Sequence, residues 1–404
     1  MTNKVWIPYG RQSIDDEDIK AVTDVLKSSN LTQGKKIAEF ESALCDETDA
    51  GFAVCVNSGT SALHIACLSA GIGPGDEVIT TPNTFVASAN CAVYCGAKPV
   101  FADIDPETYN ISPLEIEKKI TAKTKAIIPV HFAGQSCDME QIQKIIAAAE
   151  NKYGHKIFII EDACHALGSR FRNRKVGSCF YSDMTVTSFH PVKHITTGEG
   201  GVVLVNDEEL SIKLKLLRSH GITGDPKQFI NRDLAFQSGA NDVEGSINPW
   251  YYEQIGIGYN YRITDIQCAL GLSQLKKLNK FSVRRREIVN QYNIAFSECD
   301  YIRTPFEKSF CDSNFHLYVL LFDFERIGMD RACFMAELKE QGIQTQVHYI
   351  PVYLHSYYRR CWGTNIGDCP NMEEYYKACL SIPLHPAMTS EEVNRVIEAI
   401  KHLI

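Results

Sequence analysis

Apolar residues first become periodic in "DDEDIKAVTDVLKSS", residues 15–29, where Ile19, Val22, Val25 and Leu26 recur at intervals of three and four. That spacing predicts an amphipathic helix with these residues on one face. The period then changes. "FAVCVNSGTSALHIACLSAGIGPGDEVIT", residues 52–80, reads as strand, turn, buried helix, Gly/Pro turn and strand. Short apolar runs continue in "KPVFADI", "KAIIPVHF", "KIFIIED", "DMTVTSFH" and "GVVLVND", with a helical pattern at "MEQIQKIIAAAE". Runs without polar alternation are expected of strands covered by helices on both faces. The pattern therefore predicts an α/β domain around a mainly parallel sheet, with ligands at the carboxyl ends of its strands.

Between Gly221 and Gly258 the rhythm fails, and residues 222–255 are expected to form a long functional loop. A helical stretch, "TDIQCALGLSQLKKLNKFSVRRREIVNQY", then leads into "FHLYVLLFDFE", "MDRACFMAELKEQGI", "TQVHYI" and "TSEEVNRVIEAIKHLI". These read as a smaller α/β unit whose last helix opens on a capping box, Thr389 with Glu392. The expected division is a large domain over residues 1–275 and a small C-terminal domain over 276–404.

Charge and composition narrow the function classes. A net charge of −8 opposes nonspecific nucleic-acid binding, which needs a basic face. No run approaches the roughly 20 apolar residues of a membrane span. "MTNKVWIPYGRQSIDDED" lacks the apolar core of an export signal, which predicts a cytoplasmic protein. Fifteen scattered cysteines, an odd count, suit a reducing compartment better than a disulfide framework.

Candidate chemistry concentrates in "TSFHPVKHITTGEGGVVLV", residues 187–205. His190 and His194 have the spacing of a metal pair, but Pro191 stands where a metalloprotease carries glutamate. No metal is expected, and the two histidines read as bystanders or as shaping a pocket. "TTGEGG" matches neither phosphate-loop pattern, because no Gly-Lys-Ser/Thr follows and position 203 is valine. Lys193 remains, at a strand end among apolar and small residues, where a lysine loses solvation and becomes a nucleophilic amine.

An amine of this kind can hold a phosphorylated aldehyde such as pyridoxal phosphate (PLP), given a carboxylate, an anion cup and a planar neighbour. Asp162 ends the apolar run "KIFIIED". At about 4 Å from a pyridinium, a carboxylate gains roughly 4 kcal/mol at an effective dielectric of 20. Gly59, Thr60 and Ser61 open a helix after a strand, where free N–H groups and the helix dipole favour an anion. Ser188 offers a hydroxyl to the same anion, and Phe85 follows a strand, where it can stack on a ring.

These pieces, in this order, resemble the DegT/DnrJ/EryC1/StrS family of PLP-dependent sugar aminotransferases. The likeness runs through "LTQGKKIAEFE", "NSGTSALHIA", "IIEDACHALGS", "SFHPVKHITTGEGG", "RSHGIT" and "GYNYRITDIQCALGLSQL". It implies the PLP-dependent aminotransferase fold type I, that of the aspartate aminotransferase superfamily. It also implies Lys193 as the cofactor's covalent partner, Asp162 at the ring nitrogen and His165 near the ring oxygen. Gly59, Thr60 and Ser188 match the phosphate cup, and Phe85 falls at the stacking position. Asn260 matches an asparagine reaching the neighbouring subunit's phosphate, which implies a homodimer with shared active sites.

Within the family, "HFAGQSCDM", "NPWYYEQIG" and "IQTQVHYIPVYLHSYYR" resemble a transaminase of pseudaminic acid biosynthesis. This likeness implies transfer of the L-glutamate amino group to the C4 ketone of a UDP-linked 4-keto-6-deoxy-N-acetyl hexosamine. The product would be UDP-4-amino-4,6-dideoxy-N-acetyl-β-L-altrosamine. Tyr9, Ser29, Asn30, Leu31, Thr32, Gln346, His348 and Tyr349 match its sugar-nucleotide contacts, so the N-terminal segment 1–35 is expected to contribute to the substrate site. A related UDP- or dTDP-4-keto sugar is the alternative substrate. Sugar dehydratases of the same fold replace the lysine by histidine, and Lys193 speaks against that reading. A noncatalytic PLP-fold sensor would carry a fused DNA-binding segment, which is not found.

Overall fold

The computed structural model describes residues 6–236 and 247–404. Among these, seven strands form the central sheet: β1 (Phe52–Val56), β2 (Glu77–Thr80), β3 (Lys98–Phe101), β4 (Thr124–Ile128), β5 (Phe158–Asp162), β6 (Met184–Ser188) and β7 (Gly201–Val205). Their spatial order is β1-β7-β6-β5-β4-β2-β3. The pairings from β6 through to β3 are all parallel. Only β7 runs antiparallel to both its neighbours, β1 and β6. The link between β6 and β7, residues 189–200, contains no helix, and a parallel return requires a crossover. That irregular link carries Lys193.

Two helices fix the approach to the sheet's carboxyl edge. In chain order the helices used below are α1 (Asp16–Leu26), α2 (Gly59–Ser69), α3 (Ala87–Tyr94), α4 (Met139–Tyr153), α5 (Asp265–Leu275), α6 (Leu278–Phe296) and α7 (Ser390–Leu403). Helices α2 and α3 bury alanine, leucine, isoleucine and cysteine against Val54, Val56, Val186 and Val203, while α4 packs with Ile79, Ile127 and Ile159 of the sheet. Burying one such aliphatic side chain contributes about 1.5–3 kcal/mol, so this shared core fixes the strand ends.

A second sheet, β8 (Ile302–Arg303), β9 (Tyr318–Phe322) and β10 (Cys379–Ile382), is antiparallel throughout. Ile288, Val289, Tyr292 and Phe296 of α6 and Val393, Val396 and Ile400 of α7 cover it. Ile7 packs in the same core and bridges to Ile343, so the first described residues join the C-terminal unit. Helix α7 opens on the expected capping box, with Thr389 and Glu392 each bonding the other's backbone.

The structure adds detail to three expectations and splits one predicted helix. The apolar row of α1 does not face the chain's own core: Ile19 and Leu26 are 57% and 56% exposed, and only Val25 of that row is buried. Asp18 occupies the inward side instead, accepting from Gln274 Nε2 at 2.7 Å and pairing with Lys277 at 3.0 Å. The helical stretch after Thr264 is broken at Lys276 and Lys277 into α5 and α6, and the break aims Lys277 at Asp15 and Asp18. In the 222–255 loop, Ile222–Thr223 pairs with Glu253–Gln254, which closes its base, and Arg232–Ala235 forms a helical turn. Residues 237–246 of that loop lie outside the described residues.

Candidate active site

Asp162 is the last residue of β5, with its side chain buried at the strand's carboxyl end. Each carboxylate oxygen holds one donor: the Ser88 hydroxyl at 2.6 Å on Oδ2 and the Cys164 N–H at 3.1 Å on Oδ1. Ser88 stands in the first turn of α3, and its hydroxyl also lies 2.8 Å from Thr84 Oγ1 and 3.4 Å from the Phe85 carbonyl. Ser88 thereby links the backbone entering α3 to the carboxylate, while the Phe85 side chain is exposed. The strand behind is pinned as well, by Asp162 N–H to the Pro129 carbonyl at 2.9 Å and His131 N–H to the Asp162 carbonyl at 3.1 Å.

Glu161 points to the opposite face of β5, as strand alternation requires. Burial raises the Glu161 carboxyl, but hydrogen bonds from His131, Ser182 and Thr185 outweigh burial and hold it below the usual range. Cys137 N–H donates to His131 Nδ1, so Nε2 carries the imidazole proton and donates to Glu161 at 2.6 Å.

Lys193 is partly buried in the irregular link, its N–H bonded to the His190 carbonyl at 2.9 Å. Desolvation draws its ammonium below the ordinary lysine value, opposed by Cys164 and Asp162. Burial pushes the Cys164 thiol well up, so it stays a neutral thiol and supplies no countercharge. Asp162 is then the carboxylate that opposes desolvation of the Lys193 ammonium.

The anion cup is built where α2 meets β6. Ser58 caps α2 by accepting from Ser61 N–H at 3.1 Å. The Gly59 and Thr60 N–H groups have no acceptor among the described residues, as the first turn of a helix leaves them. A Cβ on Gly59 would sit 2.9 Å from Ser188 Cβ, so only glycine lets the helix terminus close on that serine. Two free N–H groups, a hydroxyl and the helix dipole suit a phosphate. The end of β5 supplies the carboxylate and the link after β6 the amine, so the residues present fit PLP. Asn260 lies beside this cup: its carbonyl is 3.5 Å from Asn57 Nδ2, and its side chain is exposed.

A wall of aromatic and imidazole rings closes one side. His165 is buried, its Nε2 3.2 Å from the Tyr349 hydroxyl and its ring 4.4 Å from His316. His194 packs on His316 at 5.3 Å, while His190 is exposed. Burial pushes His165, His194 and His316 well below the usual histidine range, and the Lys193 charge adds to it. Among the described residues no group of three or more His, Cys, Asp or Glu is arranged to hold a metal.

His348 extends this wall: its Nδ1 lies 2.8 Å from Ser381 Oγ and its ring 5.4 Å from Tyr9. The exposed Gln346 joins through its backbone, with Gln346 and Ser381 exchanging N–H to carbonyl bonds at 3.1 and 2.8 Å. Ser29, Asn30, Leu31 and Thr32 are exposed and lie instead at the start of α5, where Asp265 N–H donates to the Leu31 carbonyl at 3.0 Å. No hydrogen bond or ring contact among the described residues joins them to Lys193 or the histidine wall.

Sequence reading missed Ser88, Cys164, Ala133 and His316. Ser88 and Cys164 stand within three positions of residues it singled out, but only the fold brings their donors to Asp162. His316 carried no local signal.

Asp162 at the end of β5, Lys193 in the link after β6 and the Gly59 helix terminus beside Ser188 make up the candidate site of a PLP enzyme. The chain belongs to the DegT/DnrJ/EryC1/StrS aminotransferase family, whose model matches residues 12–401. It is 42% identical over 400 residues to the spore coat polysaccharide biosynthesis protein SpsC of Bacillus subtilis, covering 99% of this chain and 97% of that one. It is 40% identical over 393 residues to a UDP-4-amino-4,6-dideoxy-N-acetyl-beta-L-altrosamine transaminase of Campylobacter jejuni, covering 96% and 95%. Among solved structures it is similar to Helicobacter pylori PseC, an aminotransferase involved in the biosynthesis of pseudoaminic acid. That match has a TM-score of 0.86 and 35% identity over 99% of both chains. Structural neighbours also include PLP and PMP forms of one related enzyme. The protein is a PLP-dependent aminotransferase of the α/β fold that its sequence predicts.

Proposed function

We propose that the enzyme moves the amino group of L-glutamate to the C4 ketone of a UDP-linked 4-keto-6-deoxy-N-acetyl hexosamine. The product is UDP-4-amino-4,6-dideoxy-N-acetyl-β-L-altrosamine, in pseudaminic acid biosynthesis. The observation that carries amino transfer is the junction of β5, β6 and α2. There Asp162, Lys193 and the Gly59–Ser188 contact meet, with the Tyr9, His348 and Tyr349 rings alongside. The relatives named for the altrosamine reaction and for pseudoaminic acid support the substrate.

PLP, when bound, supplies an electron sink that lets an amino group pass from an amino acid to a ketone. The chain does the rest. Gly59, Thr60 and Ser188 would hold the phosphate, and Asp162, fixed by Ser88 and Cys164 N–H, would hold the ring nitrogen. Phe85 would offer its ring to the cofactor. Lys193 Nζ would anchor the group and, when free, would take a proton from the donor's α-carbon and later give one to the sugar carbon. Neutral His165, His194 and His316 add no competing charge beside that amine.

The working unit in this reading is a homodimer. The exposed apolar row of α1, with Trp6 and Ile14 exposed nearby in the chain, needs a covering surface. Ser29, Asn30, Leu31, Thr32 and the Asn260 side chain, all exposed and off the chain's own wall, then serve the partner's site.

A second reading is a related 4-keto UDP- or dTDP-sugar, kept open by the 42% identity to a spore coat polysaccharide biosynthesis protein beside 40% to the altrosamine transaminase. Offering a panel of 4-keto nucleotide sugars with glutamate separates them. The account expects fastest amination of the altrosamine precursor; turnover confined to a dTDP sugar would overturn that substrate.

A further inference from the structure

Ala133 has φ +56°, the left-handed region that costs an alanine roughly 1–2 kcal/mol. The conformation fixes two neighbours at once. Ala133 N–H points at His165 Nδ1, 3.4 Å away, and its carbonyl accepts from His316 N–H at 2.8 Å. A backbone N–H only donates, so His165 Nδ1 is an acceptor and carries no proton. The imidazole is neutral because it is buried, and its one proton therefore sits on Nε2. Across 3.2 Å from Nε2 is the Tyr349 oxygen, which must accept.

The Tyr349 hydroxyl proton is then left to point elsewhere. Its ring is confined, stacked on His165 at 6.1 Å, edge-on to His348 at 4.8 Å and to Phe132 at 6.3 Å. Burial keeps the phenol protonated, with Asp162 and Cys164 among the groups it feels. The O–H proton is thus unclaimed on the side of the wall where His165 and His194, the neighbour of Lys193, both pack on His316.

We propose that Tyr349 donates this hydrogen bond to the ketone oxygen of the reacting substrate, and that His165 is its positioning residue. This rests on the amino-transfer reading above and adds a residue to it. When an amine condenses with a ketone, both amine N–H protons end on the oxygen, which departs as water. Tyr349 stabilises the negative charge growing on that oxygen, lending and regaining its proton, so atoms and charge balance. Removing one such preorganised donor slows turnover by about 10²–10³-fold.

The test separates steps that involve a ketone oxygen from one that does not. Exchange of glutamate's α-hydrogen with solvent deuterium needs Lys193 but no ketone oxygen. In holoenzyme, Tyr349→Phe should keep this exchange within about threefold while formation of 2-oxoglutarate and amination of the keto sugar fall about 10²-fold. His165→Leu should lower the ketone chemistry by a similar factor. His165→Gln, whose amide both accepts and donates, should recover most of it. Cofactor absorbance and the apoprotein's melting temperature should not distinguish Tyr349→Phe from the native protein. Equal loss of exchange and ketone chemistry, or no loss of either, overturns the proposal. Native enzyme that exchanges no α-hydrogen would instead overturn the amino-transfer reading.

Discussion

The Ser88 hydroxyl lies 2.6 Å from Asp162 Oδ2, joining the first turn of one helix to the end of a central strand. A hydrogen bond to a charged group contributes about 1.5–3 kcal/mol. Ser88→Ala should therefore retain bound cofactor but lower kcat by about tenfold or more, because the carboxylate loses its fixed orientation. Asp162→Asn should lose most activity while still binding PLP. Steady-state kinetics beside a cofactor titration read both, and near-native kcat in Asp162→Asn would deny the carboxylate its role.

The Gly59–Ser188 contact predicts a cofactor-affinity defect with a specific cure. Gly59→Ala places a methyl 2.9 Å from Ser188 Cβ and should force the helix terminus off the strand end. PLP affinity, measured by fluorescence titration, should fall by about tenfold or more, since the N–H groups lose their aim. Adding Ser188→Gly should recover part of the loss by clearing the clash; no recovery would mean that the close approach is not the cause.

Acid should destabilise the apoprotein earlier than its carboxylates alone would dictate. Burial lowers His348 and His385 to about 3, and neither His385 nitrogen has a hydrogen-bond partner among the described residues. A histidine whose folded value is depressed stays neutral in the native state while the unfolded chain takes up a proton. Stability is thus intact above the ordinary value of 6.5 and is lost as pH falls toward about 3. Each such histidine contributes a slope of about 1.4 kcal/mol per pH unit in that window. His385→Leu should flatten the pH dependence of urea unfolding by about this amount, and an unchanged slope would contradict it.

The break between α5 and α6 predicts a stability effect. Lys277→Met leaves Asp18 buried without its cation, which should cost about 3–5 kcal/mol in urea unfolding. Asp18→Asn in the same chain should restore much of it. A double mutant as unstable as the single one would show that the break itself, rather than the charge pair, is what Lys277 supports.

Strands β4, β5 and β6 were legible because burial on both faces leaves unbroken apolar runs such as "KIFIIED". The direction of β7 was not, since an apolar run has no polarity; it follows from the link after β6, which is short and contains no helix. What covers the α1 face was not legible for a related reason. Periodicity reports where apolar residues lie on a helix, not what covers them, and Asp18 is drawn inward by Lys277, far along the chain. Lys193 and Asp162 were singled out from their chemistry, and the fold sets Asp162 at the end of β5 and Lys193 in the link after β6. Ser88, Ala133 and His316 were not, because their roles exist only through contacts with Asp162 and His165 that the fold creates.

Lys193 as the covalent anchor is the central claim, and borohydride tests it most directly. Reducing the yellow holoenzyme, digesting it and sequencing the fluorescent peptide by mass spectrometry should place a phosphopyridoxyl group on Lys193. Lys193→Ala should be colourless and carry no such group. A label on another lysine, or a Lys193→Ala protein that remains yellow and reducible, would contradict the account.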